Sequence, residues 1–229
     1  MNVGNNKLTG FIIIFFFLAL GCGRDSYDSN REEFSIDLSI DRTAPVAILT
    51  TAIITTSGNA MVQSTETGTV YLVNTTVTVT NLASITGAAD NQWNSAALSS
   101  LNVLTLPATG LVDGIYKAYA VDDAGNLSSA STNSVTIDSI APTANFTAAT
   151  DNVGSITGAL TSGSITDDTA LVLTGTNESG SGVKVYNGST EIGSATVSGT
   201  NWSYTATVAN GTTYQFNVKE TDLAGHTSD

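Results

Sequence analysis

Acidic side chains are the residues of this chain best equipped for chemistry, and many sit at turn-type positions: Asp41, Asp122, Asp123, Asp138, Asp151, Asp167, Asp168 and Asp222. Carboxylates in turns suit a hard cation, because Ca²⁺ takes about six to eight oxygens and turn carbonyls can complete the shell. None of these stretches has the spaced pattern of an EF-hand loop, and Asp also favours turns simply because its side chain bonds the backbone. Other chemistries have less to work with. His226 is the sole histidine, so a Ser-His-Asp arrangement would rest on that one imidazole. Neither a phosphate-cradling glycine loop nor Cys/His zinc spacing is present. The sequence therefore predicts a protein that is not an enzyme, with calcium the one cofactor its residues suggest. Two tryptophans could stack on sugars. Trp202 alternates with core-type residues, which assigns it to the interior. Trp93 stands among Asp90, Asn91, Gln92 and Asn94 and is the better ligand-contact candidate.

The only cysteine, Cys22, follows an uncharged apolar run from Phe11 to Leu20, with Lys7 ahead of the run and Gly21 between. A positive start, a short apolar stretch and a small-residue exit describe a secretory signal. A membrane span needs roughly 20 apolar residues, and this run is about half that. Ala19-Leu20-Gly21-Cys22 resembles the lipobox of bacterial lipoproteins, departing from it at Ala19, where that family usually has Leu. The resemblance implies that Cys22 is acylated and becomes the mature N-terminus, which makes the membrane a partner. Each buried CH₂ contributes about 0.8 kcal/mol, so two or more acyl chains hold a protein stably where one does not. Gly23 stands where the family's inner-membrane retention signal would have Asp. That points to the outer membrane, with the body displayed at the surface.

Removing the signal takes Lys7 from the seven basic residues and none of the 20 acidic ones, leaving six against 20. A body this acidic excludes nucleic acid and anionic lipid surfaces as charge-driven partners. Thr and Val, which favour strands, dominate together with the turn formers Gly, Asn, Asp and Ser. Long stretches with helical apolar spacing are absent, and the fold class is all-β.

These elements must position the turn acids. Residues 1–21 form the signal, and residues 22–42 a charged tether carrying Arg24, Asp25, Asp28, Arg31, Glu32, Glu33 and Asp37. Within the tether, Phe34, Ile36, Leu38 and Ile40 alternate with polar residues as a strand would. Two similar units follow, at 43–138 and 139–229. Their leading edges are Asp41-Arg42-Thr43-Ala44-Pro45 and Asp138-Ser139-Ile140-Ala141-Pro142. Their closing turns are Val121-Asp122-Asp123-Ala124-Gly125-Asn126 and Thr221-Asp222-Leu223-Ala224-Gly225-His226. A repeat of about 100 residues is a tandem domain, since solenoid rungs recur every ~20–50. In the second unit Trp202, Tyr204, Ala206 and Val208 alternate with polar residues, as do Tyr214, Phe216 and Val218. Leu171 to Leu173 and Val183 to Tyr186 supply two more strands, and Asn187-Gly188 is a hairpin signal. Short strands at this spacing indicate an immunoglobulin-like sandwich.

The same residues carry a resemblance. Asp151-Asn152-Val153-Gly154, Thr166-Asp167-Asp168-Thr169, Gly199-Thr200-Asn201-Trp202-Ser203-Tyr204 and Asp222-Leu223-Ala224-Gly225 look like the bacterial Ig-like repeats of large surface adhesins. Gly68 to Asn74, Asp90-Asn91-Gln92-Trp93 and Gly114-Ile115-Tyr116-Lys117 are similar to another Ig-like repeat of such proteins. Those adhesins are known for Ca²⁺ at domain junctions. In a sandwich the turn before the last strand lies beside the start of the first strand. Asp122 and Asp123 are therefore expected near Asp41, and Asp222 near Asp138. The family pattern also leaves the second unit without its last strand: either the chain is a truncated adhesin, or something else supplies the strand, as in pilus subunits. The resulting expectation is a membrane-anchored surface protein, serving as a structural stalk or adhesin fragment that contacts a host or matrix ligand. The alternative is a non-catalytic accessory module or fragment of a larger secreted enzyme.

Overall fold

A computed structural model describes residues 41–99, 102–155 and 157–228. The signal run, Cys22 and the tether up to residue 40 lie outside them.

The first unit's strands are β1 (Ala47–Leu49), β2 (Ala52–Ile54), β3 (Asn59–Ser64), β4 (Gly68–Asn74), β5 (Trp93–Leu98), β6 (Leu104–Pro107), β7 (Gly114–Asp122) and β8 (Val135–Ile137). Period-two alternation decides which face each presents. β3 buries Ala60, Val62 and Ser64 while Asn59 and Met61 face out. β7 turns Tyr116, Ala118 and Ala120 inward. One sheet runs β1-β3-β6 and the other β2-β8-β7-β4-β5. Leu49, Val62 and Leu106 of the first meet Leu72, Tyr116 and Ile137 of the second in one core. Each such side chain contributes about 1.5–3 kcal/mol by leaving water. The opening stretch divides between the sheets: β1 pairs antiparallel with β3, and β2 runs parallel to β8.

Between β4 and β5 sits a helix, α1 (Leu82–Thr86), that apolar spacing does not announce. Its start is nonetheless local chemistry. The Asn81 side chain accepts from the Ser84 N–H, and Ser84 Oγ accepts from the Asn81 N–H, a reciprocal cap. α1 exists to bury Ile85 against Tyr71, Val73 and Val121 on the outer face of the larger sheet.

The second unit contains β9 (Asn145–Asp151), β10 (Gly158–Leu160), β11 (Ala170–Thr176), β12 (Gly182–Asn187), β13 (Thr190–Ser194), β14 (Thr196–Ser198), β15 (Asn201–Thr207) and β16 (Phe216–Thr221). Its sheets are β10-β9-β11-β15-β14 and β13-β12-β16. Leu171, Leu173, Trp202 and Ala206 of one meet Val183, Val185 and Val218 of the other. Both units are thus β-sandwiches of the Ig-like kind. Trp202 is buried, as its alternation predicts, and its indole N–H donates to the Asn145 carbonyl at 3.1 Å. Gly175 makes that possible. A Cβ there would lie 1.9 Å from the Asn145 carbonyl oxygen and 2.5 Å from the indole.

The units differ at one edge. In the first, β7 lies between β4 and β8. In the second, β16 pairs with β12, and among the described residues no strand corresponds to β8. This matches the departure visible in the sequence.

Candidate functional site

The closing turns of the two units share one hydrogen-bond plan at an offset of 100 residues. Asp122 N–H donates to the Asn126 carbonyl and Gly125 N–H to the Asp122 carbonyl; Asp222, His226 and Gly225 repeat both bonds. Beyond the turn, Ser128 N–H donates to Ala120 and Ser228 N–H to Glu220. The hydroxyls of Ser128 and Ser228 accept in return from the N–H of Ala120 and of Glu220. Each turn is a device for fixing one carboxylate. Asp122 Oδ1 accepts from Asn126 N–H and its Oδ2 from Asn126 Nδ2, both at 2.8 Å. Burial works to raise the Asp122 carboxyl. Bonds from the Asn126 side chain and from the backbone of Asn126, Ala124 and Gly125 outweigh it and hold the group below its ordinary value. Asp222 behaves alike: burial opposes, while the Asp222 bonds to His226 and Gly225, with the nearby imidazole charge, depress its carboxyl.

In the first unit the turn acid has company. Asn126 Nδ2 also reaches the Asp41 carbonyl at 3.2 Å, drawing the start of the unit onto the turn as the sandwich argument expects. Glu66, from the loop between β3 and β4, comes in from a third direction. Ligand oxygens of Asp41, Glu66 and Asp122 lie within 4.8 Å of one another, the one carboxylate group of this size among the described residues. No ion pair joins these three to a base there; the described pairs are Lys184–Glu191 and His226–Asp222. Partial burial, then the charges of Asp41 and Asp122, raise the Glu66 carboxyl above its ordinary value. Three carboxylates from three separate segments, none of them in an ion pair with a described base, have the oxygen chemistry that suits a hard divalent cation, which would share Asp122 with its Asn126 donors.

The other sequence candidates accept hydrogen bonds of their own. Asp123 Oδ2 accepts from Thr67 Oγ1 at 3.0 Å, fastening the turn to the loop that carries Glu66. Asp138 accepts from the Ile140 N–H at 3.0 Å, and Asp222 is spent on Gly225 and His226. Asp151 and Asp168 are buried and accept from Thr166, Val153, Asn152 and Ala170, the backbone role that explains acids in turns without any ligand. Trp93 is half-buried rather than free in a polar loop. Its ring lies 5.9 Å from that of Tyr71 at 45°, and its indole N–H is enclosed without a partner. Glu66 escaped the sequence reading because it lies in neither repeat turn and is 56 residues from Asp122. The residue's only local mark is that it is the lone acid of the β3–β4 loop.

Two packed, mainly antiparallel sheets with a fixed closing turn define the class of Ig-like sandwiches. The family of bacterial Ig-like domains matches residues 143–229, the second unit. No curated protein matches. Among solved structures, the BSP domain of a biofilm associated protein is 17% identical, covering 80% of this chain and 28% of that one, at a TM-score of 0.29. The fibronectin(III)-like modules of CbhA from Clostridium thermocellum are also 17% identical, covering 80% and 90%, at 0.34. A Bacteroides ovatus glucan-locus protein, SGBP-B, solved with a mixed-linkage heptasaccharide, is 11% identical, covering 76% and 38%, at 0.28.

Proposed function

We propose that this chain is a membrane-anchored surface protein whose Ig-like units form a structural stalk or adhesin fragment. Cys22, once acylated, is the anchor, and the residues that follow it set the units away from the outer membrane. The observation that carries the reading is the recurrence of one hydrogen-bonded turn at a 100-residue offset, in a unit matching the bacterial Ig-like family and in the unit before it. A repeated module that spends its acids on its own backbone suits display and contact. Calcium held by Asp41, Glu66 and Asp122 would cross-brace the start of the first unit, the β3–β4 loop and the closing turn.

Protease treatment of whole cells carrying the wild type or Cys22→Ala tests the anchor. The wild type is expected to stay with the membrane and be digested from outside, and the variant to be released. Wild-type protein that is protected or freely secreted refutes surface display. The calcium arm is read separately, as a rise in the Tm of the first unit on adding Ca²⁺ that a chelator reverses; a Tm indifferent to both removes the metal.

A further inference from the structure

Two asparagine–glycine pairs occur in the chain, Asn187-Gly188 and Asn210-Gly211, and both belong to the second sandwich. Such pairs form turns because glycine accepts a positive φ, and here Gly188 stands at +60° and Gly211 at +75°. The same pairing carries a reactivity. The carboxamide carbon of an asparagine is within reach of the next residue's peptide nitrogen, and a glycine, lacking Cβ, leaves that nitrogen unshielded.

The structure holds the two pairs very differently. Asn187 ends β12 and pairs with Thr190 of β13 and Phe216 of β16. Its Oδ1 accepts from the Gln215 N–H at 2.7 Å, which fixes the carboxamide. The Gly188 N–H donates to the Gln215 carbonyl at 2.8 Å, so the nucleophile is spent as well. The backbone of Gln215 thus ties up both reacting groups of that pair. Asn210 and Gly211 are exposed in the loop between β15 and β16. That loop is closed around them and not through them. Thr212 N–H donates to the Ala209 carbonyl at 3.3 Å, and Ala209 N–H to Tyr214 Oη at 2.9 Å. Among the described residues nothing bonds the Asn210 carboxamide or the Gly211 N–H. Nothing stands within 4 Å of where a Gly211 Cβ would be, so the carboxamide has room to turn.

We infer that Asn210 is a site of spontaneous deamidation, set by a free carboxamide beside the unbonded Gly211 N–H. The Gly211 nitrogen bonds to Asn210 Cγ, the Cγ–Nδ2 bond breaks, and ammonia leaves with the proton that the Gly211 nitrogen gives up. Water then opens the cyclic imide at one carbonyl or the other, giving an aspartyl or an iso-aspartyl residue. Either product adds a negative charge to a unit that is already acidic, and the iso-aspartyl form also lengthens the main chain by a carbon. The sandwich absorbs both. The Tyr214 bond to Ala209 and the stacking of Tyr214 on Phe216, 5.4 Å between rings, lie outside the altered peptide.

Peptide mapping by mass spectrometry of the folded full chain, held at mildly alkaline pH, tests this. Asn210 is expected to show the mass change of OH for NH₂ roughly tenfold faster than Asn187 or more, since Asn187 must first break two hydrogen bonds. In unfolding concentrations of urea the two pairs are expected to react at like rates, because each is then only Asn-Gly followed by Ser189 or Thr212. Asn210→Gln, whose longer side chain closes the ring far less readily, is expected to remove the acidic band that grows on isoelectric focusing while the Tm stays unchanged. Equal rates at the two sites of the folded chain, faster reaction at Asn187, or no reaction at either overturns the inference. A difference that persists in urea overturns its structural cause.

Discussion

Replacing Gly175 with Ala tests whether the second core is fixed by Trp202 crossing bare backbone. The added Cβ would lie 1.9 Å from the Asn145 carbonyl oxygen, a backbone atom, and 2.5 Å from two indole atoms. Neither neighbour is the free end of a flexible chain, and moving the indole also stretches its 3.1 Å bond to Asn145. Overpacking of this kind costs about 1–3 kcal/mol, and loss of the hydrogen bond adds to it. In a unit of this size each kcal/mol moves Tm by roughly 4–8 °C, so Gly175→Ala should lower the second unit's Tm by roughly 5–20 °C. Gly182→Ala is the matched control: it also lies in a strand, but nothing stands within 4 Å of its added Cβ, so it should be neutral or slightly stabilising. The assay is thermal melting followed by tryptophan emission in a Trp93→Phe background, which leaves Trp202 as the reporter. The reasoning fails if Gly175→Ala melts with the parent, or if Gly182→Ala is as damaging.

Other expectations concern the carboxylates and the first core. Asp222 has a depressed folded pKa, so its stabilising effect is full above its unfolded value and is lost as pH falls through the folded one. Asp222→Asn should therefore flatten the acid side of the second unit's stability profile, measured by urea unfolding between neutral and acid pH. Glu66 carries the opposite sign: its folded pKa is raised, so its charge opposes folding at neutral pH and acidification relieves it. Glu66→Gln should raise the first unit's Tm in chelator and remove any increase given by Ca²⁺. Tyr116→Phe removes the donor that meets the Val112 carbonyl at 2.7 Å in a fully buried position. A loss of about 1 kcal/mol confined to the first unit is expected in two-transition calorimetry.

The strands were legible wherever alternation is strict. Trp202 to Val208 reads as one buried and one wet face, and β15 follows it, because period two is a property of the chain itself. The division of the opening stretch into β1 and β2 was not legible, nor was the parallel pairing of Ala52–Ile54 with Val135–Ile137. Nothing local in Ala52-Ile53-Ile54 says that its partner lies 83 residues away. α1 fell below the reach of apolar periodicity, although Asn81 and Ser84 mark its start. At the candidate site, the repeat turns pointed to Asp41 and Asp122. Glu66 and the Tyr71 ring against Trp93 depend on which strands become neighbours, which turn chemistry does not specify.

The parallel run of β2 beside β8 has a mechanical consequence. Force that pulls the start of the first unit one way and its exit the other loads β2 and β8 in shear. Their three residue pairs then resist together and break at once, instead of opening one by one as a zipper does.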